Sequence, residues 1–168
     1  MEINRTMTLE ICGLGIIFYS PPAAAHIAEG ENYLIANYMA EDQVQPHIQR
    51  GTIVGFGTAS PGVYILHILK GYPDAQTLAE STYKLRLGIE VKDNTLCFRD
   101  LYDLMDWTAE CPPEQCIALD DGYYHITLCS NRPESGIVGD NQHIQVYFNT
   151  LNQMPNLVSR GVPTLVTD

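Results

Sequence analysis

The alternation of apolar and polar side chains around residues 83–91 constrains the fold most strongly. In the segment YKLRLGIEV, every second residue from 85 to 91 is apolar, and the residues between them are charged or glycine. A period of two is typical of a β-strand with one buried face. Further apolar runs follow, separated by the turn sequences DN at 93–94 and DDG at 120–122. This stretch therefore predicts consecutive β-strands.

Shorter apolar runs continue this pattern along the rest of the chain. Strands are predicted at residues 7–12, 15–19, 32–39, 51–56, 63–69, 123–129 and 143–148. Pro46 lies between Val44 and Ile48, so residues 41–49 are predicted to be a turn or an extended link rather than a helix. Together these elements predict a mainly β protein with the architecture of an antiparallel β-sandwich.

The length of 168 residues fits one sandwich-like domain, residues 1–168. Gly-Val-Tyr at 62–64 and Gly-Tyr-Tyr at 122–124 both open a predicted strand. Each is followed by a proline eleven residues after the glycine, at 73 and 133, and a looser parallel links the tripeptides LEI at 9–11 and LRL at 85–87. These parallels suggest two pseudo-repeated halves, 1–81 and 82–150, before a C-terminal tail, 151–168. Chance recurrence of a common turn is the alternative.

The charge is strongly acidic, with twenty acidic and nine basic residues and a formal net charge of −11. Such a field repels nucleic acid and anionic membrane surfaces and speeds association with a basic protein. Solubility alone is the other explanation. The apolar run at residues 9–18 is interpreted as a strand rather than a signal peptide, and no apolar run is long enough to span a bilayer. We expect a protein partner, and neither nucleic acid nor a membrane.

The five cysteines show no regular spacing. Cys12, Cys97 and Cys129 lie in apolar strand patterns, where a thiol packs as a small hydrophobic group. This usage predicts a reducing compartment, and hence the cytoplasm.

Cys111 and Cys116 form a C-x4-C pair, but a structural zinc site needs two further ligands and no second pair exists. The acidic residues around Cys111 are expected to raise its pKa, which disfavours a cysteine nucleophile. No G-x-S-x-G, phosphate-binding loop or H-E-x-x-H motif is present. The sequence therefore predicts no metal site, no cofactor and no catalytic residue.

The segment RDLYDLMDW at residues 99–107 carries the main candidate binding residues. Its three aspartates are three positions apart and would share one face of a helix, with Trp107 directly after them. Carboxylates steer a basic partner, and aromatic side chains anchor it. The alternative is a solvated acidic connection whose tryptophan packs into the core. The predicted partner-binding residues are Asp100, Asp103, Asp106, Trp107, Glu110, Asp120 and Asp121.

Residues 87–133 resemble small acidic bacterial β-sandwich proteins that neutralise toxins or nucleases. The run GIEVKDNTLCFRDL, the acidic loop and the strand DGYYHITLC are similar to the strand, turn and Gly-x-Tyr strand of the competence-associated nuclease inhibitors. This resemblance implies a non-enzymatic immunity protein or inhibitor whose acidic face covers the basic cleft of a toxin or nuclease.

Two other functions are consistent with the sequence. A small-ligand-binding or hydrolytic β-sandwich protein would use His125 or His143 as a general base in a pocket with carboxylates. A deep pocket that joins one of these histidines to two carboxylates would favour that function, and a flat acidic surface would favour inhibition. A structural or assembly module would show an extensive symmetric apolar contact. The sequence leaves the partner's identity and the oligomeric state open.

Overall fold

The computed structural model describes residues 4–165, which form two β-sheets packed face to face. The strands are β1 (Asn4–Ile11), β2 (Gly15–Tyr19), β3 (Ile53–Gly57), β4 (Gly62–Lys70), β5 (Tyr83–Val91), β6 (Thr95–Asp100), β7 (Cys116–Ala118), β8 (Gly122–Ser130) and β9 (Gln142–Leu151). One sheet has the order β1-β4-β9-β8-β5 and the other the order β3-β2-β6-β7. This confirms the predicted mainly β, sandwich-like fold. Among the named strands of residues 4–165, β4 and β9 pair in parallel and the other pairs are antiparallel; Gly57 also forms an isolated parallel bridge with Thr164.

The main core lies between the two sheets. In β5, Leu87 and Ile89 point into this core while Arg86 is exposed, as the alternating pattern predicts. The rings of Phe18 and Phe98 meet at the centre of the four-stranded sheet, with centroids 4.7 Å apart.

A layer of helices covers the other face of the four-stranded sheet. It consists of α1 (Pro21–Ala24), α2 (Tyr33–Asn37) and α3 (Glu41–Arg50); α4 (Ala75–Glu80) lies between β4 and β5. Ile17, Tyr19 and Ile53 from the sheet pack with Leu34 and Val44 from the helices in a second core. Both faces of β2 are therefore buried, which explains why its sequence GIIFY is apolar without alternation.

The predicted strand at residues 32–39 is wrong, because this segment forms α2. The side chain of Asn32 accepts a hydrogen bond from the backbone N–H of Ile35 and so caps the first turn. Tyr33, Leu34 and Tyr38 of this segment are buried against the sheet. Tertiary packing thus overrides the strand preference of these residue types.

The predicted extended link at residues 41–49 is also wrong, because α3 continues through Pro46. The Gln43 side chain accepts hydrogen bonds from the backbone N–H groups of Met39 and Ala40, which fixes the start of the helix. Val44 and Ile48 lie on the buried face, one turn apart. Burial of this face offsets the backbone hydrogen bond that Pro46 cannot make.

The strand pairing repeats along the chain. β1 pairs with β4 as β5 pairs with β8, and β2 pairs with β3 as β6 pairs with β7. The hydroxyl of Tyr64 donates to the carbonyl of Ser60, and that of Tyr124 donates to the carbonyl of Asp120, at 2.7 and 2.6 Å.

The register gives the correspondence between these two sets of strands. Tyr64 lies opposite Leu9, and Tyr124 lies opposite Ile89. Residues 9–11 therefore correspond to residues 89–91 rather than to 85–87. Two related halves would produce this pattern; the duplication and its boundaries at 81 and 150 stay a prediction.

The chain after β9 runs back to the four-stranded sheet. Gly57 donates to the carbonyl of Pro163, and the N–H of Leu165 donates to the carbonyl of Gly57, at 2.7 and 2.9 Å. Leu165 is buried in the main core, whereas Val158 is exposed. Within residues 4–165, none of the helices has the length and apolar character needed to cross a membrane.

A half-buried histidine joins the helices of the covering layer. In α3, Nε2 of His47 lies 2.9 Å from the hydroxyl of Tyr33, and Nδ1 lies 2.6 Å from the hydroxyl of Thr52. Burial, and then the charges of His26 and Arg50, lower the pKa of His47 to about 4.

We expect the free energy of unfolding to decrease as the pH falls from about 6.5 to about 4. In this range the unfolded chain binds a proton at His47 and the folded protein does not, so acid favours unfolding. Urea unfolding at a series of pH values should show that His47→Gln loses this part of the pH dependence. His143→Gln, at an exposed position, should retain it. Parallel pH profiles for His47→Gln and wild type would contradict the assignment.

Candidate functional site

The connection between β6 and β7, together with the end of β6, holds five of the seven residues predicted to bind a partner. It begins with the 3-10 helix Leu101–Met105 and ends with the 3-10 helix Pro113–Gln115. Only Asp103 lies inside the first 3-10 helix, whereas Asp100 and Asp106 flank it with non-helical backbone. The three aspartates therefore do not share one helical face, and their surroundings differ.

Asp100 binds the backbone. Its carboxylate accepts hydrogen bonds from the N–H groups of Cys12, Gly13 and Tyr102 at 2.8, 3.1 and 2.9 Å. These bonds cap the 3-10 helix and tie it to the connection between β1 and β2. Asp100 therefore holds the segment in place.

Asp103 forms an ion pair with a buried arginine. Nε of Arg99 donates to Asp103 at 2.8 Å, and the two side chains are 4% and 39% exposed. The guanidinium also donates to the hydroxyl of Tyr19 and the carbonyl of Thr108, and it lies 4.3 Å from the centre of the Trp107 ring. Burial works against the charge on Arg99, but its hydrogen bonds with Tyr19 and Asp103 raise its pKa.

Trp107 lies in the second core and is 2% exposed. Its ring packs against Tyr19 with the centroids 5.4 Å apart. The indole is therefore not accessible as an anchor for a partner, and it acts on the loop by covering the guanidinium of Arg99.

Asp106 and Glu110 are exposed, and a second loop brings two more glutamates beside them. The backbone N–H of Trp107 donates to the carbonyl of Glu31 at 3.1 Å, and the backbone N–H of Ala109 donates to the carboxylate of Glu29 at 2.7 Å. We call Glu29, Glu31, Asp106 and Glu110 the acidic loop surface. Sequence reasoning missed the two glutamates because they lie far from residues 106–110 in the chain, and only the fold brings them close.

Asp120 and Asp121 lie at the other end of β6. Their connection follows β7 and packs against the turn before β6, where the N–H of Asn94 donates to the Asp121 carboxylate at 2.7 Å. The six-residue strand spans about 17 Å, so this turn lies a full strand length from Asp100 at the other end. The seven predicted residues therefore do not form one cluster.

A cluster of three thiols lies on the same segment, and sequence reasoning did not assemble it. Cys97 and Cys116 face each other across the β6–β7 pair with their sulfurs 3.6 Å apart. The sulfur of Cys111 joins them, and all three sulfurs lie within 4.8 Å of one another. Antiparallel pairing of the strand that holds Cys97 with the strand that begins at Cys116 would have predicted that these two thiols are neighbours.

The thiols perturb each other's pKa values. A hydrogen bond with Cys97 lowers the pKa of Cys111 to about 6, and Cys116 and Arg99 add to this effect against the burial of the group. The same hydrogen bond and burial raise the pKa of Cys97. The expectation that acidic neighbours raise the pKa of Cys111 is wrong, because thiols and a guanidinium surround it in space.

A cavity of about 760 Å³ lies on the outer face of the five-stranded sheet. The stacked rings of His67 and His143 line it, with Nε2 of His67 2.8 Å from Nδ1 of His143. The carboxylates of Glu80, Glu134 and Asp140 also line this cavity. One ring nitrogen of His143 thus faces another histidine rather than a carboxylate that would orient a general base.

His125 has different surroundings. Its Nδ1 lies 2.7 Å from the hydroxyl of Tyr72. Burial, and then the charge of Arg86, lower the pKa of His125. His125 is not among the residues that line the 760 Å³ cavity, so the two predicted histidines do not share a site.

Comparison with known proteins gives two similar folds. No family model matches the sequence, and no curated protein matches it. The structure of ComJ, an inhibitor of the DNA-degrading activity of NucA from Bacillus subtilis, has a TM-score of 0.55 and 10% identity, covering 90% of this chain and 99% of ComJ. The structure of crocagin biosynthetic gene J has a TM-score of 0.55 and 10% identity, covering 88% of this chain and 97% of the other. At this identity the likeness shows a shared fold.

We expect Asp103→Asn to lower the free energy of unfolding by about 1–2 kcal/mol, because it leaves the buried Arg99 guanidinium without its carboxylate. Asp106→Asn, at an exposed position in the same segment, should change it by less than about 0.5 kcal/mol. Urea unfolding of the two variants measures the difference. Equal stabilities would show that the Arg99–Asp103 pair does not hold the segment.

Proposed function

We propose that this protein is a non-enzymatic inhibitor, of the immunity-protein type, that binds and neutralises a basic nuclease or toxin domain. The observation that carries this proposal is the fold shared with ComJ over nearly the whole length of both chains. ComJ inhibits a DNA-degrading activity. Shared fold alone does not transfer this function, so the surface chemistry of the present chain must supply the second argument.

The acidic loop surface supplies that chemistry. An enzyme that degrades DNA must bind phosphates, so its cleft carries positive charge. Exposed carboxylates are complementary to such a cleft, and the net charge of −11 accelerates the encounter. Asp106 and Glu110 would make the central contacts, because their carboxylates are exposed at the surface.

The other predicted residues would have subordinate roles. Asp100 and Trp107 would position the loop, and Asp103 would contact the partner only through its exposed edge. A stable interface buries about 800 Å² on each partner. Asp120 and Asp121, beside the turn at the opposite end of β6 from Asp100, would contribute only at the rim of such an area.

The proposal predicts that Asp106→Lys with Glu110→Lys slows association about tenfold or more and flattens its salt dependence, because rim charges act mainly on the association rate. The partners to test are the purified DNA-degrading enzymes encoded by the source organism. Stopped-flow association at several salt concentrations and cleavage of labelled DNA give the rates and the inhibition. The double variant leaves the Arg99–Asp103 pair intact, so its fold should be unchanged.

The matched control is Glu134→Lys with Asp140→Lys, which makes the same change in net charge on the loop between β8 and β9. It should reduce the association rate less than the double variant of the acidic loop surface. Equal effects would assign the result to net charge alone. Failure of the wild-type protein to inhibit any of these enzymes at micromolar concentration would exclude the nuclease-inhibitor function.

The 760 Å³ cavity favours a second candidate function, the binding or hydrolysis of a small ligand. His143 lines this cavity together with Glu80, Glu134 and Asp140, which supports this candidate. Under this hypothesis, a small-molecule library should contain compounds that raise the melting temperature of the wild type. His143→Ala with Glu134→Gln should abolish that rise, and Asp106→Lys with Glu110→Lys should retain it. The absence of any stabilising compound would remove this candidate.

A further inference from the structure

Three cysteines from separate positions in the chain converge at the edge of the four-stranded sheet. Cys97 comes from β6, Cys116 from β7 and Cys111 from the loop between them. Cys97 is buried, whereas Cys111 and Cys116 are half-buried, so the cluster is open to solvent on one side. All five cysteines are free thiols.

The spacing of the sulfurs matches the requirements of a thiophilic metal ion. Zinc lies about 2.3 Å from a thiolate sulfur, and tetrahedral geometry then separates two sulfurs by about 3.8 Å. Cys97 and Cys116 are 3.6 Å apart, and no pair among the three exceeds 4.8 Å. Shifts of less than about 1 Å would bring the three thiolates to bonding distance.

In the repeated strand pairing, an aliphatic side chain occupies the position that corresponds to Cys97. Cys97 pairs with Cys116 in the β6–β7 ladder, and Ile17 pairs with Gly55 at the corresponding position of the β2–β3 ladder. Ile17 is fully buried in the same second core as Cys97. Burial at this position therefore does not depend on a thiol, and the convergence of three thiols is the feature that points to a ligand.

Two guanidinium groups lie beside the cluster. Arg99 acts electrostatically on Cys111, and Arg5 donates to the backbone carbonyl of Cys116. Three thiolates with a divalent ion carry one net negative charge, and with a monovalent ion two. Neighbouring guanidinium groups stabilise such an anionic centre in a partly buried site.

We infer that Cys97, Cys111 and Cys116 form a site for one thiophilic metal ion, either Zn²⁺ with an external fourth ligand or three-coordinate Cu⁺. Both ions prefer thiolate ligands. The bound ion would fasten residues 111–116 to β6 and so stabilise the connection that carries Asp106 and Glu110. The C-x4-C pair alone predicts no metal site, because the third thiol, Cys97, lies on a different strand.

The test uses the purified, fully reduced chain without oxygen and does not depend on the inhibitor function. Titration with Co²⁺ should give thiolate-to-metal charge-transfer absorption that saturates at one ion per chain and disappears when Zn²⁺ is added. A parallel titration with Cu⁺ against a coloured chelator measures the second ion. Saturation at one Co²⁺ and one Zn²⁺ selects zinc, and saturation at one Cu⁺ alone selects copper.

Single variants then locate the site. Cys111→Ser and Cys116→Ser should each weaken binding by more than about 100-fold, because the loss of outer-shell partners alone costs 10–100-fold. Cys12→Ser and Cys129→Ser, at an exposed and a buried thiol outside the cluster, should bind as the wild type does. Circular dichroism of the metal-free variants confirms that each is folded.

Two results would overturn the assignment. One is the absence of stoichiometric binding of Co²⁺, Zn²⁺ and Cu⁺ by the reduced wild-type chain. The other is unchanged affinity in folded Cys111→Ser and Cys116→Ser.

Discussion

The guanidinium of Arg99 is the group on which the candidate site depends. A buried charge costs several kcal/mol unless a counter-ion and hydrogen bonds compensate it. The segment after β6 supplies this compensation with the carboxylate of Asp103, the carbonyl of Thr108 and the ring of Trp107. These contacts therefore hold the loop in place over the sheet. The position of the loop in turn decides where its exposed carboxylates lie.

The covering layer of helices explains why such a group can be buried in a β-sandwich. In a two-layer sandwich the outer face of the four-stranded sheet would meet water, and Arg99 would be solvated. Here α1, α2, α3 and the 3-10 helix of residues 101–105 cover that face. The same cover buries Cys97 beside Arg99, so the thiol cluster and the ion pair share one environment.

The two sets of paired strands differ in where they carry charged and thiol side chains. Phe18 and Phe98 face each other at the centre of the β2–β6 pair. If these two residues are taken as equivalent, Tyr19, which follows Phe18, is the counterpart of Arg99, which follows Phe98. Tyr19 is uncharged, but its hydroxyl accepts a hydrogen bond from Arg99. The guanidinium and the thiols lie on β6, on the connection that follows it and at the start of β7. The acidic loop surface lies on that connection and on the loop that packs beside it.

The sequence could predict those parts of the fold that depend on local patterns. The alternation in residues 83–91 and the turn residues at 93–94 and 120–122 gave the strands of the second half correctly, because a period of two has one structural explanation. Residues 32–39 and 41–49 were predicted wrongly because their conformation is decided by packing on the sheet. A capping side chain and two buried residues one turn apart outweigh aromatic strand preference and an internal proline.

By itself, the sequence determined the mainly β architecture, the acidic charge and the presence of exposed carboxylates near residue 106. Only the tertiary structure decided that Asp100 caps a helix, that Asp103 neutralises Arg99, and that Trp107 is buried. It also decided that Glu29 lies beside Ala109 and that Cys97 joins Cys111 and Cys116. The physical reason is that most of these contacts join residues that are distant in sequence. Strand register and loop packing bring such residues together, and no local sequence pattern encodes either of them.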